Sequence, residues 1–298
     1  MKKILAISGG ADSMFLAYQY RHDKNVILAY VNYNIRHDTH IDQEIVENFA
    51  KKYHLKLEKL ILDKNTNHSN SNFENWAREI RYDFFKSLYK KYQCKQLLIA
   101  HHKDDFLETC IMQKEKNEDK LFYGIKEKIR LNQMNIYRPL LLKYWKQEIY
   151  DLVQKHKIYY HDDYTNFESN YKRNYIRNNI LNKYSLAQKE ELLNEFLNFN
   201  KSQDKIIKNI KKEYKEWFLS GFKLDFFSNL KYQEEVIKLF INKNLKNINL
   251  NKNIINNIIK FLLSSNNNKE FLLSNNNFIF KKNNKVYIKN NNYNKIIH

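Results

Sequence analysis

A doubly wound α/β domain on a mostly parallel sheet, followed by a smaller, mostly helical C-terminal domain, is the fold class this sequence predicts. Three observations point to it. In the first hundred residues short apolar runs alternate with amphipathic stretches of helical spacing. The runs are continuously apolar rather than alternating, the pattern of strands buried on both faces of a parallel sheet. From about residue 183 that alternation stops and the chain turns helical and Lys-rich, so the expected domains are 1–182 and 183–298.

In order, KILAIS reads as a strand, ADSMFLAYQYR as a helix, NVILAYVNY as a strand and HIDQEIVENFAKKYH as a helix. LKLEKLIL, the helix FENWAREIRYDFFKSLYKKY and the strand QLLIA follow. In open sheets of this kind ligands bind outside the carboxyl ends of the strands. Ser8 onward, Asn32 to Arg36 and His101 to Asp105 each follow a predicted strand end and are expected to share one crevice. A polar stretch then leads to IYRPLLL, with the only proline, and YWKQEIYDLVQKHK reads as another helix. Near the end, NFIFKKNNKVYIKN alternates apolar and polar residues around an Asn-rich turn, which suggests a β-hairpin.

Composition narrows the partners. With 52 basic and 33 acidic residues the formal net charge is +19, which suits a polyanion such as nucleic acid and would also attract an anionic membrane surface. Arginine is the sharper signal, because lysine is abundant everywhere. The eight arginines end at Arg177, while the residues after it carry 21 Lys against 10 acidic residues. A chain that otherwise uses Lys for charge keeps Arg where a planar fork must grip phosphate or carboxylate. Two cysteines without CxxC spacing exclude a disulfide framework, a Cys-rich zinc site and a thiol relay. No apolar run reaches the roughly 18 residues of a membrane span, so a cytoplasmic protein with no membrane partner is expected. The oligomeric state stays open, a dimer included.

The first candidate site is Ser8-Gly9-Gly10-Ala11-Asp12-Ser13, between a strand and a helix. Backbone donors at a helix N-terminus favour an anion, and two glycines remove the Cβ atoms that would hold a phosphate off. The alternative is a plain turn with Asp12 or Ser13 as helix cap. Taken whole, SGGADS resembles the SGGxDS pyrophosphate-binding loop of the N-type ATP pyrophosphatases, which have a PP-loop, Rossmann-like fold. It differs from the Walker A pattern, which needs Gly-Lys-Ser/Thr.

Further motifs narrow the resemblance. AHHKDDFLET at 100–109, NFENWAREIRYDFF at 72–85, YRPLL at 137–141 and DDYTNFESNYKRNYIRNNIL at 162–181 resemble, in order, segments of the tRNA(Ile)-lysidine synthetases. That family joins L-lysine to the wobble cytidine of the CAU-anticodon isoleucine tRNA, using ATP and Mg2+ and releasing AMP and pyrophosphate. The resemblance implies that Ser8, Gly9, Gly10, Ala11, Asp12, Ser13 and His101 hold the nucleotide, with Asp12 also on the metal. It implies that Asp105 and Glu108 meet the lysine ammonium groups or the metal, that Arg81 contacts phosphate, and that Arg173, with Arg177, offers a fork for AMP or the tRNA backbone; Asp12, Arg81, Asp105, Glu108 and Arg173 are the candidate catalytic residues. The family's tRNA partner leaves residues 183–298 as a basic tRNA-binding appendage.

The residue patterns fit those roles without singling them out. Asp105 and Glu108 stand three apart, as do Arg78 and Arg81, and Arg173 and Arg177 stand four apart, so each pair shares a helix face; solvated faces would show the same spacing. His101-His102 lacks a third ligand for zinc. Phe73, Trp76, Ile80 and Phe84 read as the apolar stripe of a core-facing helix. Two departures stand out: Tyr33 replaces the family's histidine in VNYNIR, which puts proton transfer there in doubt, and the glycine-rich stretch before RPLL keeps only Gly124. A tRNA-thiolating enzyme of the same superfamily, usually dependent on paired cysteines or an iron–sulfur cluster, and a non-catalytic RNA-binding protein are the rival readings.

Overall fold

The computed structural model describes residues 1–35, 38–63, 73–116, 120–161, 172–245, 248, 250–265, 270–274, 276–290 and 295–297. Arg36, Asn72 and residues 162–171 of the motif segments above lie outside them. The chain divides into two compact units, Met1–Phe199 and Asn200–His298. The expected boundary at 182/183 differs from this division by a short stretch of helix, for which there is a physical reason. Leu193 and Phe196 are buried in an apolar cluster of the first unit with Phe106, Leu107, Leu141 and Trp145.

The first unit is built on a six-stranded sheet. Its strands are β1 (Lys3–Ile7), β2 (Val26–Asn32), β3 (Lys56–Ile61), β4 (Gln96–Leu98), β5 (Lys128–Leu131) and β6 (Met134–Tyr137), in the order β3-β2-β1-β4-β6-β5. All neighbouring pairs are parallel except β5–β6. The helices are α1 (Ala11–Gln19), α2 (Thr39–Tyr53), α3 (Phe73–Lys91), α4 (Lys103–Glu115), α5 (Lys146–Lys155) and α6 (Lys172–Asn179). Strands β1 and β2 are buried on both faces, as their apolar runs require. One face packs Leu5, Leu28 and Leu98 against Met14, Phe49 and Ile149 of α1, α2 and α5. The other packs Ile4, Ile27 and Leu97 against Tyr82, Phe85 and Leu88 of α3.

Two local readings change. The polar stretch before IYRPLLL contains the β5–β6 hairpin, turned by Asn132 and Gln133 with φ of 50° and 68°. Two positive φ values in a row are what a tight hairpin turn needs, and Asn-Gln is a weak signal for it. In α3 the buried residues are Ala77, Tyr82, Phe85 and Leu88, not the stripe through Phe73, Trp76, Ile80 and Phe84. Phe73 and Trp76 instead gather around the Tyr33 ring, with centroids 6.2 and 6.1 Å away.

A long helix, α7 (Leu186–Leu219), carries the chain out of the first unit's core. The second unit adds α8 (Leu224–Ser228), α9 (Gln233–Asn244), α10 (Lys252–Leu263) and strands β7 (Glu270–Ser274), β8 (Asn277–Lys282), β9 (Lys285–Asn290) and β10 (Lys295–Ile297). Trp217, Phe222, Phe227 and Phe240 form its aromatic centre, with ring centroids 4.7–5.1 Å apart where they meet. The Asn-rich segment forms β8 and β9, turned by Asn283 and Asn284 at φ of 50° and 59°. That hairpin is the middle of a four-stranded antiparallel sheet, β10-β9-β8-β7. The buried Lys281 donates from Nζ to the carbonyls of Phe261 and Ser264 at 2.8 and 2.7 Å, satisfying the last turn of α10.

Candidate active site

Strand order reverses between β1 and β4, and the loops after these two strands meet there, at the switch point of the sheet. The Ser8–Gly10 loop leads straight into α1. Gly10 stands at the helix start, and no side chain accepts from the first-turn amides. Asp12 and Ser13 are therefore not caps. Ser13 Oγ donates to the Gly10 carbonyl at 3.0 Å and accepts from the Ser8 amide at 3.1 Å, which folds the loop back on itself. Gly9 has φ of +90°, and a Cβ there would lie 3.0 Å from Cα of Asp42, so this position requires glycine. The His161 amide donates to the Gly9 carbonyl at 3.1 Å, and the His161 ring lies 3.0 Å from Asp42 Oδ1.

The β4 loop supplies the opposite wall. The His102 amide donates to Asp105 Oδ2 at 2.9 Å, which caps the start of α4. Asp105 is nearly buried and Glu108 is 0% exposed. Arg177 reaches Glu108 from α6 with Nε on Oε1 at 2.6 Å and NH2 on Oε2 at 3.2 Å. Arg173 Nε stands 3.1 Å from Glu108 Oε2, with its side chain still 39% exposed. Burial and the Asp105 charge push the Glu108 carboxyl up, against the pull of Arg177 and Arg173. Asp105 moves the other way: burial opposes its charge, but His102, His101 and Arg173 hold it well below the usual carboxylate range. One helix face thus carries two carboxylates with opposite tendencies.

The two histidines divide in the same manner. His101 accepts from Arg138 Nε at Nδ1, at 2.9 Å. Burial lowers its pKa to about 4, with Asp105 opposing and Arg138 and Arg173 assisting. His102 is buried, yet Asp105, Asp104 and Asp12 outweigh burial and raise it to about 9. Asp12 Oδ2 lies 3.8 Å from His102 Nε2, and the Asp12 carboxylate holds Lys146 Nζ with both oxygens at 2.8 Å. Asp104 accepts from Lys189 Nζ at 2.9 Å and from the Lys146 amide at 2.8 Å.

The structure therefore brings together Ser8, Gly9, Gly10, Ala11, Asp12, Ser13, His101, Asp105, Glu108 and Arg173. Arg81 is exposed on α3 and lies near Tyr33, while Arg78 stacks on Tyr82, 4.6 Å from the ring centroid. Tyr33 donates its hydroxyl to the Ala77 carbonyl at 2.8 Å, and burial pushes its pKa up. That bond ties the chain after β2 to α3. Sequence reasoning missed Arg138, Lys146, Lys189 and His161; the rarity of arginine was a usable signal for the first alone. Gly124, with φ of +88°, packs so close to the Phe106 ring that a Cβ would overlap it. A cavity of about 300 Å³ is lined among others by Met14, Tyr18, Phe49, Tyr53, His156 and Ile158.

Among the described residues no group of three or more His, Cys, Asp or Glu side chains could hold a metal ion. Asp12 offers one carboxylate at the phosphate loop. That fits Mg2+ bound in the usual way, through one or two carboxylates plus substrate phosphates and water.

Residues 1–184 match the PP-loop domain family. The chain is 41% identical over 280 residues to the tRNA(Ile)-lysidine synthase of Mycoplasmopsis pulmonis (strain UAB CTIP), covering 94% of this chain and 96% of the relative. The chain belongs to the tRNA(Ile)-lysidine synthases of the PP-loop family. The corresponding synthase of Mesomycoplasma hyopneumoniae (strain 232) is 38% identical over 297 residues, covering 97% of this chain and 96% of its own. Among solved structures, the U34-tRNA thiolase NcsA from Methanococcus maripaludis, with its [4Fe-4S] cluster, shares the fold with a TM-score of 0.54 at 17% identity. It covers 67% of this chain and 73% of its own. The Ser8–Ser13 loop and the loop after β4 both lie within the residues matched to that family.

Proposed function

We propose that the protein ligates L-lysine to the wobble cytidine of the CAU-anticodon isoleucine tRNA, with ATP as the activating substrate. The observation that carries this reading is the identity to lysidine synthases along nearly the whole chain. The site chemistry supports it. The cytidine 2-carbonyl oxygen attacks the α-phosphorus of ATP and pyrophosphate leaves. The lysine ε-nitrogen then attacks C2, the C–O bond to AMP breaks, and the amine proton passes to a base.

Each demand has a candidate residue. The open amides at the start of α1, Ser8 and Ser13 receive the phosphates. Mg2+ on Asp12 would neutralise phosphate charge when bound. Arg173, partly exposed beside Glu108, is assigned to the AMP phosphate, while Arg81, exposed on α3 near Tyr33, is assigned a phosphate contact on family resemblance alone. His101, kept neutral by burial with Arg138 assisting, contacts the nucleotide without adding charge. Asp105 and Glu108 receive the lysine ammonium groups, and Glu108, the more basic of the two, takes the proton.

For residues 200–298 the support for tRNA binding is charge, since lysine neutralises backbone phosphates without reading sequence. No helix among the described residues is long and apolar enough to cross a membrane. The thiolase reading gains nothing from the geometry: Cys94 is buried beneath α3 and Cys110 in a separate apolar cluster, and burial raises both thiols away from reactivity.

Purified protein with Mg2+, ATP, labelled lysine and the CAU-anticodon tRNA is expected to release AMP and label the RNA. Folded protein that binds this tRNA and leaves it unlabelled would refute the proposal.

A further inference from the structure

Among the charged side chains around the PP-loop, Lys146 has the geometry of a mobile cation on a fixed stem. Its backbone is pinned. The Lys146 amide donates to Asp104 Oδ2 at 2.8 Å, the preceding Trp145 amide donates to Glu148 Oε2 at 2.7 Å, and Trp145 Nε1 donates to Glu190 Oε1 at 2.7 Å. Asp104 is in turn held by Lys189, with side chains only 9% and 17% exposed. The start of α5 therefore keeps its position while the four-carbon stem of Lys146 remains free to turn.

The ammonium group itself is held loosely. It sits on Asp12, with both side chains about a third exposed, at 31% and 29%, and lies 4.5 Å from the Tyr150 ring centroid. A partly exposed ion pair contributes only about 0–1 kcal/mol. A triphosphate entering the open end of α1 presents several negative charges within reach of the same stem. The exchange of one carboxylate for those phosphates favours the phosphates. The same exchange frees the Asp12 carboxylate for a cation.

We infer that Lys146 is a phosphate-binding residue of the ATP site, whose ammonium rests on Asp12 and transfers to the polyphosphate when nucleotide binds. This rests on the ATP-dependent reading above and adds a residue to it. A static ion pair, by contrast, would make Lys146 only a strut between α1 and α5.

The two roles separate in binding, without turnover. Calorimetric titration of the full-length protein with inorganic pyrophosphate, and with ATP, is carried out without tRNA or lysine and with Mg2+ chelated. Lys146→Met is expected to weaken both ligands about tenfold or more, the loss of one charge-assisted contact. Lys146→Arg should restore part of that affinity. Asp12→Asn is expected to tighten pyrophosphate in these metal-free conditions, and most of that gain should vanish in the Asp12→Asn, Lys146→Met double variant.

Thermal melting of the same variants reads out the strut. If Lys146→Met lowers the melting temperature while leaving pyrophosphate affinity unchanged, or if the Asp12→Asn gain persists in full without Lys146, the inference is overturned. Failure of the lysine-ligase reading looks different: the wild type would bind ATP in the same titration and leave tRNA unmodified.

Discussion

Arg177 grips Glu108 through two guanidinium nitrogens, at 2.6 and 3.2 Å, and the carboxylate it grips has no exposed surface. A buried charge that loses its partner costs far more than the pair contributes, about 3 kcal/mol or more. Arg177→Met strands the acid beside Arg173 alone, whereas Glu108→Gln strands an arginine that still reaches solvent. The arginine variant is therefore expected to be the less stable by urea unfolding. The opposite order would mean that Arg173 alone satisfies Glu108.

His101 gives the protein an acid-side stability limit. Its folded pKa of about 4 lies below the ordinary 6.5, because the ring is buried and accepts from Arg138. Between those values the unfolded chain binds a proton that the folded chain does not. The contribution is thus complete above pH 6.5 and lost as pH falls through 4. Relative to a His101→Gln variant, unfolding free energy of the wild type should rise by about 3 kcal/mol from pH 4 to pH 6.5. A flat difference across that window would show a ring that titrates normally.

Gly124 makes a prediction that composition alone would not. An added Cβ meets the Phe106 ring, and φ of +88° disfavours any other residue. Phe106 follows Asp105 on α4, so displacement of its ring reaches the stretch that carries Asp105 and Glu108. Gly124→Ala is expected to destabilise the protein by about 2 kcal/mol or more. The double variant Gly124→Ala, Phe106→Leu should recover part of the loss in a melting experiment.

What could be read beforehand follows the physics of each signal. Strands buried on both faces write themselves as apolar runs, and β1, β2 and β4 were visible on that basis; β5, at the sheet edge, and its neighbour β6, four residues each, carry no such run. The stripe of α3 was misplaced because its exposed-side aromatics answer to Tyr33, a neighbour that periodicity cannot see. Around the site, Ser8–Ser13 and Asp105–Glu108 were legible through resemblance to family motifs, since their spacing alone fits a plain turn and a solvated helix face equally well. Lys146 was not, since nothing distinguishes one lysine from the many others until folding sets it 2.8 Å from Asp12. Arg138 and His161 act through contacts to His101 and Gly9 that are remote in sequence.

The two inward carboxylates of α4 can be separated from the tRNA contact. Asp105→Asn and Glu108→Gln remove negative charge from the closed wall of the site and leave every lysine and arginine in place. Affinity for tRNA and its salt dependence are governed by the cations that displace counterions from phosphates, so both should stay near wild type in filter binding at several ionic strengths. Lysine transfer should fall by about a hundredfold or more, the scale on which loss of one preorganised charged group acts. Glu108→Gln should also abolish any rise of the transfer rate with pH that reports its deprotonation, while Asp105→Asn, altering a carboxyl already ionised, should leave that dependence visible in the residual rate. Equal loss of tRNA affinity in either variant would place these carboxylates in the fold of the RNA interface instead of the lysine site.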